Sequence, residues 1–86
     1  MEIEFDPAKD AANVAKHGIS LADFQGFDER PTIVEDRRFD YGEPRYRAFG
    51  RIAGRGHCVV FTLRDDRYRL ISVRRAHEEE MQLYGQ

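Results

Sequence analysis

Arginine side chains dominate the positive charge of this 86-residue chain, and their chemistry suits a phosphate group. Twelve of the fourteen basic residues are arginine, whose planar guanidinium donates two parallel hydrogen bonds to phosphate oxygens and stacks on nucleic-acid bases. Residues 37–75 hold eleven of these arginines and four acidic residues, whereas residues 1–36 hold three basic and nine acidic residues. The formal net charge of −2 therefore conceals a basic segment. Such a segment forms either an anion-binding face or a solvated surface.

The arginines of this segment lie on three predicted strands, over residues 45–52, 57–64 and 67–74. Residues 53–56 form a glycine-rich link, and Asp65-Asp66 form a two-residue hairpin turn. The resulting register places five arginines on one sheet face, with the first three in one row: Arg45, Arg64, Arg67, Arg47 and Arg69. Because like charges directly opposite each other are unfavourable, the row predicts a nearby anion. That anion is the acidic closing helix, a partner's carboxylates or a phosphate backbone.

The same register places the predicted core on the other face of the sheet, with Phe61 and Leu70 beneath the N-terminal helices. Arg74 then pairs with His57 on this core face, far from Arg64. Either a bulge in the strand turns Arg74 towards the arginine-bearing face, or only one of Arg64 and Arg74 lies in the site.

Caps and turns predict the remaining elements of a single α+β domain over residues 1–86. Asp6 and Pro7 mark the start of a helix, and Gly18 marks its end. Ser20 begins a second, shorter helix. The predicted elements outside the three strands are a strand at 3–5, helices over 7–17 and 20–26, an edge strand at 32–35 and a closing helix over 76–84. The sheet is then an antiparallel meander of three to four strands that follows an N-terminal strand and two helices.

The single cysteine, Cys58, excludes a disulfide framework and a multi-cysteine metal site. It lies in an apolar run and is expected to be a small buried hydrophobe. Three histidines at unrelated spacings predict no metal site, and no cofactor is expected. No apolar run approaches the ~20 residues that a membrane helix needs, and the N-terminus lacks the features of a signal peptide. A cytoplasmic protein without membrane contact is expected.

Three groups of residues resemble the BrnT family, the toxin components of bacterial type II toxin–antitoxin pairs. They are Asp6-Pro7-Ala8-Lys9 with Asn13, Lys16-His17-Gly18-Ile19-Ser20, and Arg69-Leu70-Ile71-Ser72-Val73-Arg74-Arg75-Ala76 followed by Glu80 and Tyr84. The resemblance covers nearly the whole chain and implies a RelE-like fold and a ribonuclease that blocks translation. It also implies a small BrnA-type antitoxin as partner, with DNA contacted only through that antitoxin. Two positions depart from the family pattern, since Phe5 stands where tryptophan is frequent and Met81 where arginine is usual.

RNA cleavage without a metal requires a base for the 2′-hydroxyl, an acid for the leaving oxygen and cations for the charge that develops on the phosphate. The candidate cations are Arg64, Arg45, Arg47, Arg69 and Arg74, of which Arg64 and Arg74 are predicted to be catalytic. Glu80, on the closing helix, is the candidate base, and His17 is the candidate acid, since the C-terminal end of a helix favours a protonated imidazole. The residues predicted to bind RNA are Arg45, Arg47, Arg67, Arg69, Lys16 and Tyr84.

Each of these residues also has a structural interpretation. Arg64 suits an ion pair, Glu80 a solvated carboxylate, His17 a helix cap and Tyr84 a core position. The alternative function is accordingly a non-catalytic binding module whose basic sheet face docks an acidic partner protein. Exchange of Arg64 separates the two functions, because it abolishes growth arrest by a ribonuclease and only weakens the complex of a binding module.

Overall fold

A computed structural model describes residues 2–86 as one five-stranded mixed sheet with two helices. The elements are β1 (Ile3–Phe5), α1 (Pro7–His17), β2 (Thr32–Asp36), β3 (Arg45–Ile52), β4 (Arg55–Arg64), β5 (Arg67–Arg75) and α2 (Glu78–Leu83). The strand order is β1-β5-β4-β3-β2, in which β1 runs parallel to β5 and the other neighbours are antiparallel. The α+β class is confirmed, but the expected meander of three to four strands is too small because β1 joins the open edge of β5. No helix within residues 2–86 has the length and apolar character that would span a membrane.

Helix α1 covers the predicted residues and is fixed to the sheet by one buried side chain. The Asp6 carboxylate accepts a hydrogen bond from the Ala8 N–H at 2.8 Å, and Gly18 ends the helix at φ 70°. Asn13, in the middle of α1, donates to the Val73 carbonyl at 2.9 Å and accepts from the Val73 N–H at 3.1 Å. Asn13 therefore takes the place of a neighbouring strand along the part of β5 that β1 does not reach.

The second helix expected over 20–26 is a single 3₁₀ turn, so that expectation is wrong in length. Ser20 caps the turn as predicted, with its hydroxyl accepting a backbone N–H at 3.2 Å. The chain then leaves helical geometry because Leu21, Phe24 and Phe27 all turn towards the sheet and pack on its core.

The link between β3 and β4 is shorter than the predicted four residues. Ala53 and Gly54 alone make the turn, with φ of 52° and 76°. The Asp28 carboxylate accepts hydrogen bonds from both backbone N–H groups, at 3.0 and 2.8 Å. A carboxylate from a distant segment thus stabilises a left-handed alanine that the local sequence disfavours.

The shorter turn moves the β3–β4 register by two residues from the predicted one. Arg47 lies opposite Val60. A shift of two keeps each side chain on its predicted face but changes its neighbours. Arg64 and Arg67 do pair across the hairpin, whereas Arg45 is displaced from them. The predicted row of three arginines is therefore wrong.

A bulge in β5 decides which face the end of that strand presents. Beside Val60 the register between β4 and β5 shifts, and Ile71 is the extra residue. Arg74 consequently pairs with Cys58 rather than with the predicted His57. The bulge therefore moves Arg74 from the predicted core face to the face that carries the other arginines.

Apolar clusters lie on both faces of the sheet. The first, around the fully buried Leu21, lies under the 3₁₀ turn and the segment after it, and its buried members are Leu21, Ala48, Val59, Phe61, Leu70 and Val73. The second lies under α2 and consists of Phe49, Cys58, Ala76 and Met81. Gly56 permits this packing, because a Cβ there would lie 2.6 Å from Met81 Cγ. Met81 thus contributes packing to this second cluster.

Candidate active site

A cleft of about 360 Å³ lies between α1 and the sheet face that carries Val60. Six basic side chains line it, and we call these residues the basic cleft: Lys9, Lys16, His17, Arg38, Arg47 and Arg74. Lys9, Asn13 and Lys16 are four and three residues apart, so they share one face of α1. Because Asn13 is bonded to β5, this face of the helix is held against the sheet and its lysines border the cleft.

Arg74 and Glu80 form a two-fold ion pair at the edge of the basic cleft. Arg74 Nη1 lies 2.8 Å from Glu80 Oε1, and Nη2 lies 2.9 Å from Oε2. The β5 bulge turns Arg74 to this face, and the first turn of α2 presents Glu80. The hydrogen bonds from Arg74 lower the pKa of Glu80, and the charges of Arg74 and Arg47 act in the same direction. Glu80 is therefore ionised at neutral pH and fixes the orientation of the guanidinium.

Among the arginines that line the basic cleft, Arg47 has the guanidinium group with the fewest hydrogen-bond partners within residues 2–86. Its Nε is buried and finds no hydrogen-bond acceptor within residues 2–86. The guanidinium carbon lies 5.6 Å from the Phe49 ring centroid and 5.8 Å from that of Tyr84, and these two rings stack at 3.8 Å. Tyr84 is thereby packed on the second core cluster and helps to support Arg47. A buried donor without an acceptor is costly, so this group is suited to a ligand that brings one.

His17 lies in the last turn of α1, where the helix dipole alone would favour its protonated form. Burial lowers the pKa of His17, and the charges of Lys16 and Arg74 lower it further. The lowered pKa favours the neutral imidazole, whereas the helix dipole led us to expect the protonated form. The cap itself is supplied by Gly18, whose N–H donates to the Val14 carbonyl at 2.8 Å. His17 is a neutral imidazole at neutral pH and is suited to accept a proton.

Three of the predicted site residues lie near the Asp65-Asp66 turn, and we call Arg64, Arg67 and Arg69 the turn cluster. Each contacts a carboxylate of the same chain. The ion pairs are Arg64–Glu43 at 3.3 Å, Arg67–Glu2 at 2.9 Å and Arg69–Glu4 at 3.5 Å. The lining of the basic cleft within residues 2–86 includes none of the three. Arg45 lies apart from both groups, with its guanidinium 4.1 Å from the centroid of the Tyr41 ring.

Sequence reasoning misses two residues of the basic cleft, Lys9 and Arg38. Lys9 precedes Lys16 by seven positions, and this helical spacing was sufficient to place both on one face. Arg38 has no comparable signal, because its position depends on the buried Asp36. The Asp36 carboxylate accepts hydrogen bonds from Arg38 Nε and Nη2 at 2.9 and 2.8 Å. This contact holds the pKa of Asp36 far below its usual range and keeps Arg38 beside the cleft.

The floor of the basic cleft is apolar and contains Cys58, which is fully buried. Burial raises the pKa of the Cys58 thiol, so the expectation of a small buried hydrophobe is confirmed. Within the described part of the chain, no three histidine, cysteine or carboxylate side chains come together as a metal site would require.

Comparison with known proteins identifies the family to which this chain is similar. The family model described as "Ribonuclease toxin, BrnT, of type II toxin-antitoxin system" matches residues 5–80, which include the whole basic cleft and Glu80. A search of curated proteins finds none that matches. The type II classification implies an antitoxin protein as partner. Because the matched residues make up most of the chain, the protein belongs to the BrnT family of ribonuclease toxins from type II toxin–antitoxin systems.

Proposed function

We propose that this BrnT chain is an endoribonuclease that cleaves RNA without a metal ion and thereby inhibits translation. The basic cleft is the observation that supports this most, because Arg47 presents a buried Nε without an acceptor among residues 2–86 and Arg74 is oriented by Glu80. Fixed cations of this kind stabilise the charge that develops on a phosphate during cleavage. The RelE-like fold implied by the resemblance is part of the proposal, and a mainly antiparallel sheet with a closing helix on one face supports it.

In the proposed reaction, the 2′-hydroxyl of one nucleotide attacks the adjacent phosphorus. Its proton passes to a base in the cleft, the bond between phosphorus and O5′ breaks, and the leaving oxygen takes up a proton from water. The products are a 2′,3′-cyclic phosphate and a 5′-hydroxyl. Arg47 and Arg74 bind the non-bridging oxygens, while Lys9 and Lys16 supply positive charge for the neighbouring phosphates.

Two groups near the cleft can accept the proton, and their surroundings differ. His17 is neutral because its pKa is lowered, and its imidazole titrates nearer to neutral pH than a carboxylate does. Glu80 is engaged by Arg74 through both oxygens, so it becomes a base only when a phosphate displaces it. We therefore assign His17 as the base and Glu80 as the residue that positions Arg74, which revises the roles expected from the sequence.

Incubation of the purified protein with RNA in excess chelator tests the proposed activity. Fragments that end in a 2′,3′-cyclic phosphate are expected to form at an undiminished rate. The Arg47→Ala and Arg74→Ala variants should cleave slowly, and Arg67→Ala, from the turn cluster, is the matched control. Fragments that disappear on chelation, or Arg47→Ala and Arg74→Ala variants as active as the unmodified protein, contradict the proposal.

We also propose that the partner is a BrnA-type antitoxin, that DNA is contacted only through it, and that the pair acts in the cytoplasm. The unsatisfied basic cleft supports this partner, because an acidic segment or an amphipathic helix with carboxylates would fill it. Binding to the folded toxin stabilises it by mass action, so its melting midpoint should rise with antitoxin concentration. An unchanged midpoint at saturating antitoxin contradicts this proposal.

The turn cluster supports the second candidate, a non-catalytic module that docks an acidic partner. Its three arginines each bind a carboxylate, which shows that this surface accommodates such pairs. These carboxylates belong to the chain itself, however, so the basic cleft is the face left for a partner. Growth arrest that persists in Arg47→Ala and Arg74→Ala, together with lost antitoxin binding, would favour this candidate over the ribonuclease.

A further inference from the structure

Phe39 has 70% of its surface exposed. It follows Arg38, whose side chain lines the cleft. The Phe39 ring meets the Tyr41 ring edge-to-face, with their centroids 5.9 Å apart. A single exposed apolar residue is ordinary on a protein surface, so the surroundings of this ring decide whether it binds anything.

The segment that carries Phe39 is held to the sheet through the buried Asp36. The Asp36 carboxylate accepts two hydrogen bonds from the Arg38 guanidinium and one from the Tyr41 hydroxyl at 3.2 Å. The Arg45 guanidinium covers the Tyr41 ring at 4.1 Å. The exposed ring is therefore presented by a preorganised loop, which reduces the entropy lost when a ligand binds to it.

The charges around this loop are suited to the phosphates of a ligand. Arg45 Nε is buried without an acceptor within residues 2–86, as Arg47 Nε is, and the two residues are two positions apart on one face of β3. The acidic groups of the loop are already engaged. Asp40 accepts a loop N–H at 3.0 Å, and Glu43 pairs with Arg64. Two buried Nε donors without an acceptor within residues 2–86 thus remain for an anion on this face of β3, and the Tyr41 ring links Arg45 to Phe39.

We propose that Phe39 is a stacking platform for an unpaired base of the RNA whose phosphates occupy the basic cleft, an inference that rests on the proposed function. A base offers a flat π-face to the exposed ring, and its flanking phosphates offer acceptors to the guanidinium groups. An apolar side chain of a protein would cover the ring but leave the two buried Nε donors unsatisfied. Stacking tolerates every base, so the platform contributes affinity rather than sequence preference.

Binding to a short single-stranded RNA with 2′-O-methyl groups measures the platform separately from cleavage, because this RNA lacks the attacking hydroxyl. Phe39→Ala should raise the Kd about tenfold. Phe39→Leu keeps an apolar side chain but loses the ring, so it should raise the Kd similarly. Phe39→Tyr retains a π-face and should bind as the unmodified protein does. Fluorescence anisotropy of a labelled RNA provides the Kd values.

A second measurement reports the stacking directly. The chain contains no tryptophan, so Phe39→Trp introduces a single indole fluorophore at the platform. Stacking with a base should quench its emission as the 2′-O-methyl RNA is added. The matched control is Leu63→Trp, because Leu63 is also exposed but lies beyond Phe61 on the other face of the sheet.

The outcomes separate the platform from the proposed function. An unchanged Kd for Phe39→Ala and unchanged emission for Phe39→Trp, with RNA still bound and cleaved, overturn the platform alone. Quenching by RNA that is never cleaved when its 2′-hydroxyls are free supports the platform and overturns the catalysis. Loss of antitoxin binding in Phe39→Ala with full RNA affinity assigns the ring to a protein partner and overturns the platform. If the RNA does not bind to the protein at all, both the platform and the proposed function are overturned.

Discussion

The basic cleft and the turn cluster both contain arginines, and they differ in where the opposite charges come from. In the turn cluster, carboxylates of β1, the residue before it and the loop over 37–44 lie within 3.5 Å of the guanidinium groups. In the basic cleft, Glu80 engages Arg74, while the buried Nε of Arg47 has no acceptor in the described part of the chain. The availability of an arginine therefore depends on acidic residues far along the chain.

The largest effect expected from this comparison is on catalysis. Arg74→Ala should lower kcat/KM for RNA cleavage by about 10²–10³-fold, because it removes a fixed cation from the phosphate. Arg67→Ala, at the turn cluster, should change the rate by no more than about twofold, since its guanidinium is paired at the surface. Urea unfolding of both variants controls for the loss of the Glu80 ion pair. Equal losses of activity in Arg74→Ala and Arg67→Ala would mean that the turn cluster is part of the catalytic site.

The pH dependence of cleavage should identify His17 as the base. A neutral imidazole accepts the proton, and burial lowers its pKa, so kcat/KM should rise through a pKa below the usual 6.5 and level off above it. His17→Ala should remove this limb and cost about 10²-fold. Lys16→Met removes a cation that lowers the pKa, so the limb should move to higher pH. A limb that remains in His17→Ala would exclude the histidine and favour Glu80.

A smaller effect is expected on stability, at the helix α1 that forms one wall of the basic cleft. Asn13→Ala should lower the free energy of unfolding by about 2–4 kcal/mol, because two backbone groups of Val73 lose their partner in a buried setting. Val14→Ala, an exposed neighbour on the same helix, should cost less than about 0.5 kcal/mol. Urea denaturation provides both values. A loss as small as that of Val14→Ala would show that α1 is held by other contacts.

The smallest effect is expected on the stability of the turn cluster. It shows whether the ion pairs of these arginines or the repulsion between them dominates. The row of arginines predicted from the sequence implies that Arg67→Gln leaves stability unchanged or raises it. The ion pair with Glu2 implies instead a loss of about 0.2–1 kcal/mol, which shrinks at high salt. Denaturant midpoints at low and high salt measure the difference. A gain in stability at low salt would mean that repulsion between Arg64 and Arg67 outweighs their pairing with carboxylates.

Patterns in the sequence were sufficient to predict the elements whose signals lie within a few residues of each other. Asp6 and Gly18 bound α1, and Asp65-Asp66 form the hairpin turn that pairs Arg64 with Arg67. Caps and tight turns are local, since they satisfy backbone groups next to themselves in the chain. The family resemblance also depended on such local groups, and the match to the BrnT family confirmed it.

The packing of distant segments against one another determines which basic residues meet in one cleft. Asp28 shortens the β3–β4 turn, and this contact spans 25 residues. The bulge at Ile71 carries Arg74 to the other face, and the docking of β1 brings acidic residues to the turn cluster. Side chains alternate between faces along a strand, so one extra residue reverses the face of everything beyond it. Contacts between distant segments therefore determine the strand register, the sheet face of each side chain and the ion pairs of the arginines. Short-range sequence patterns do not contain this information.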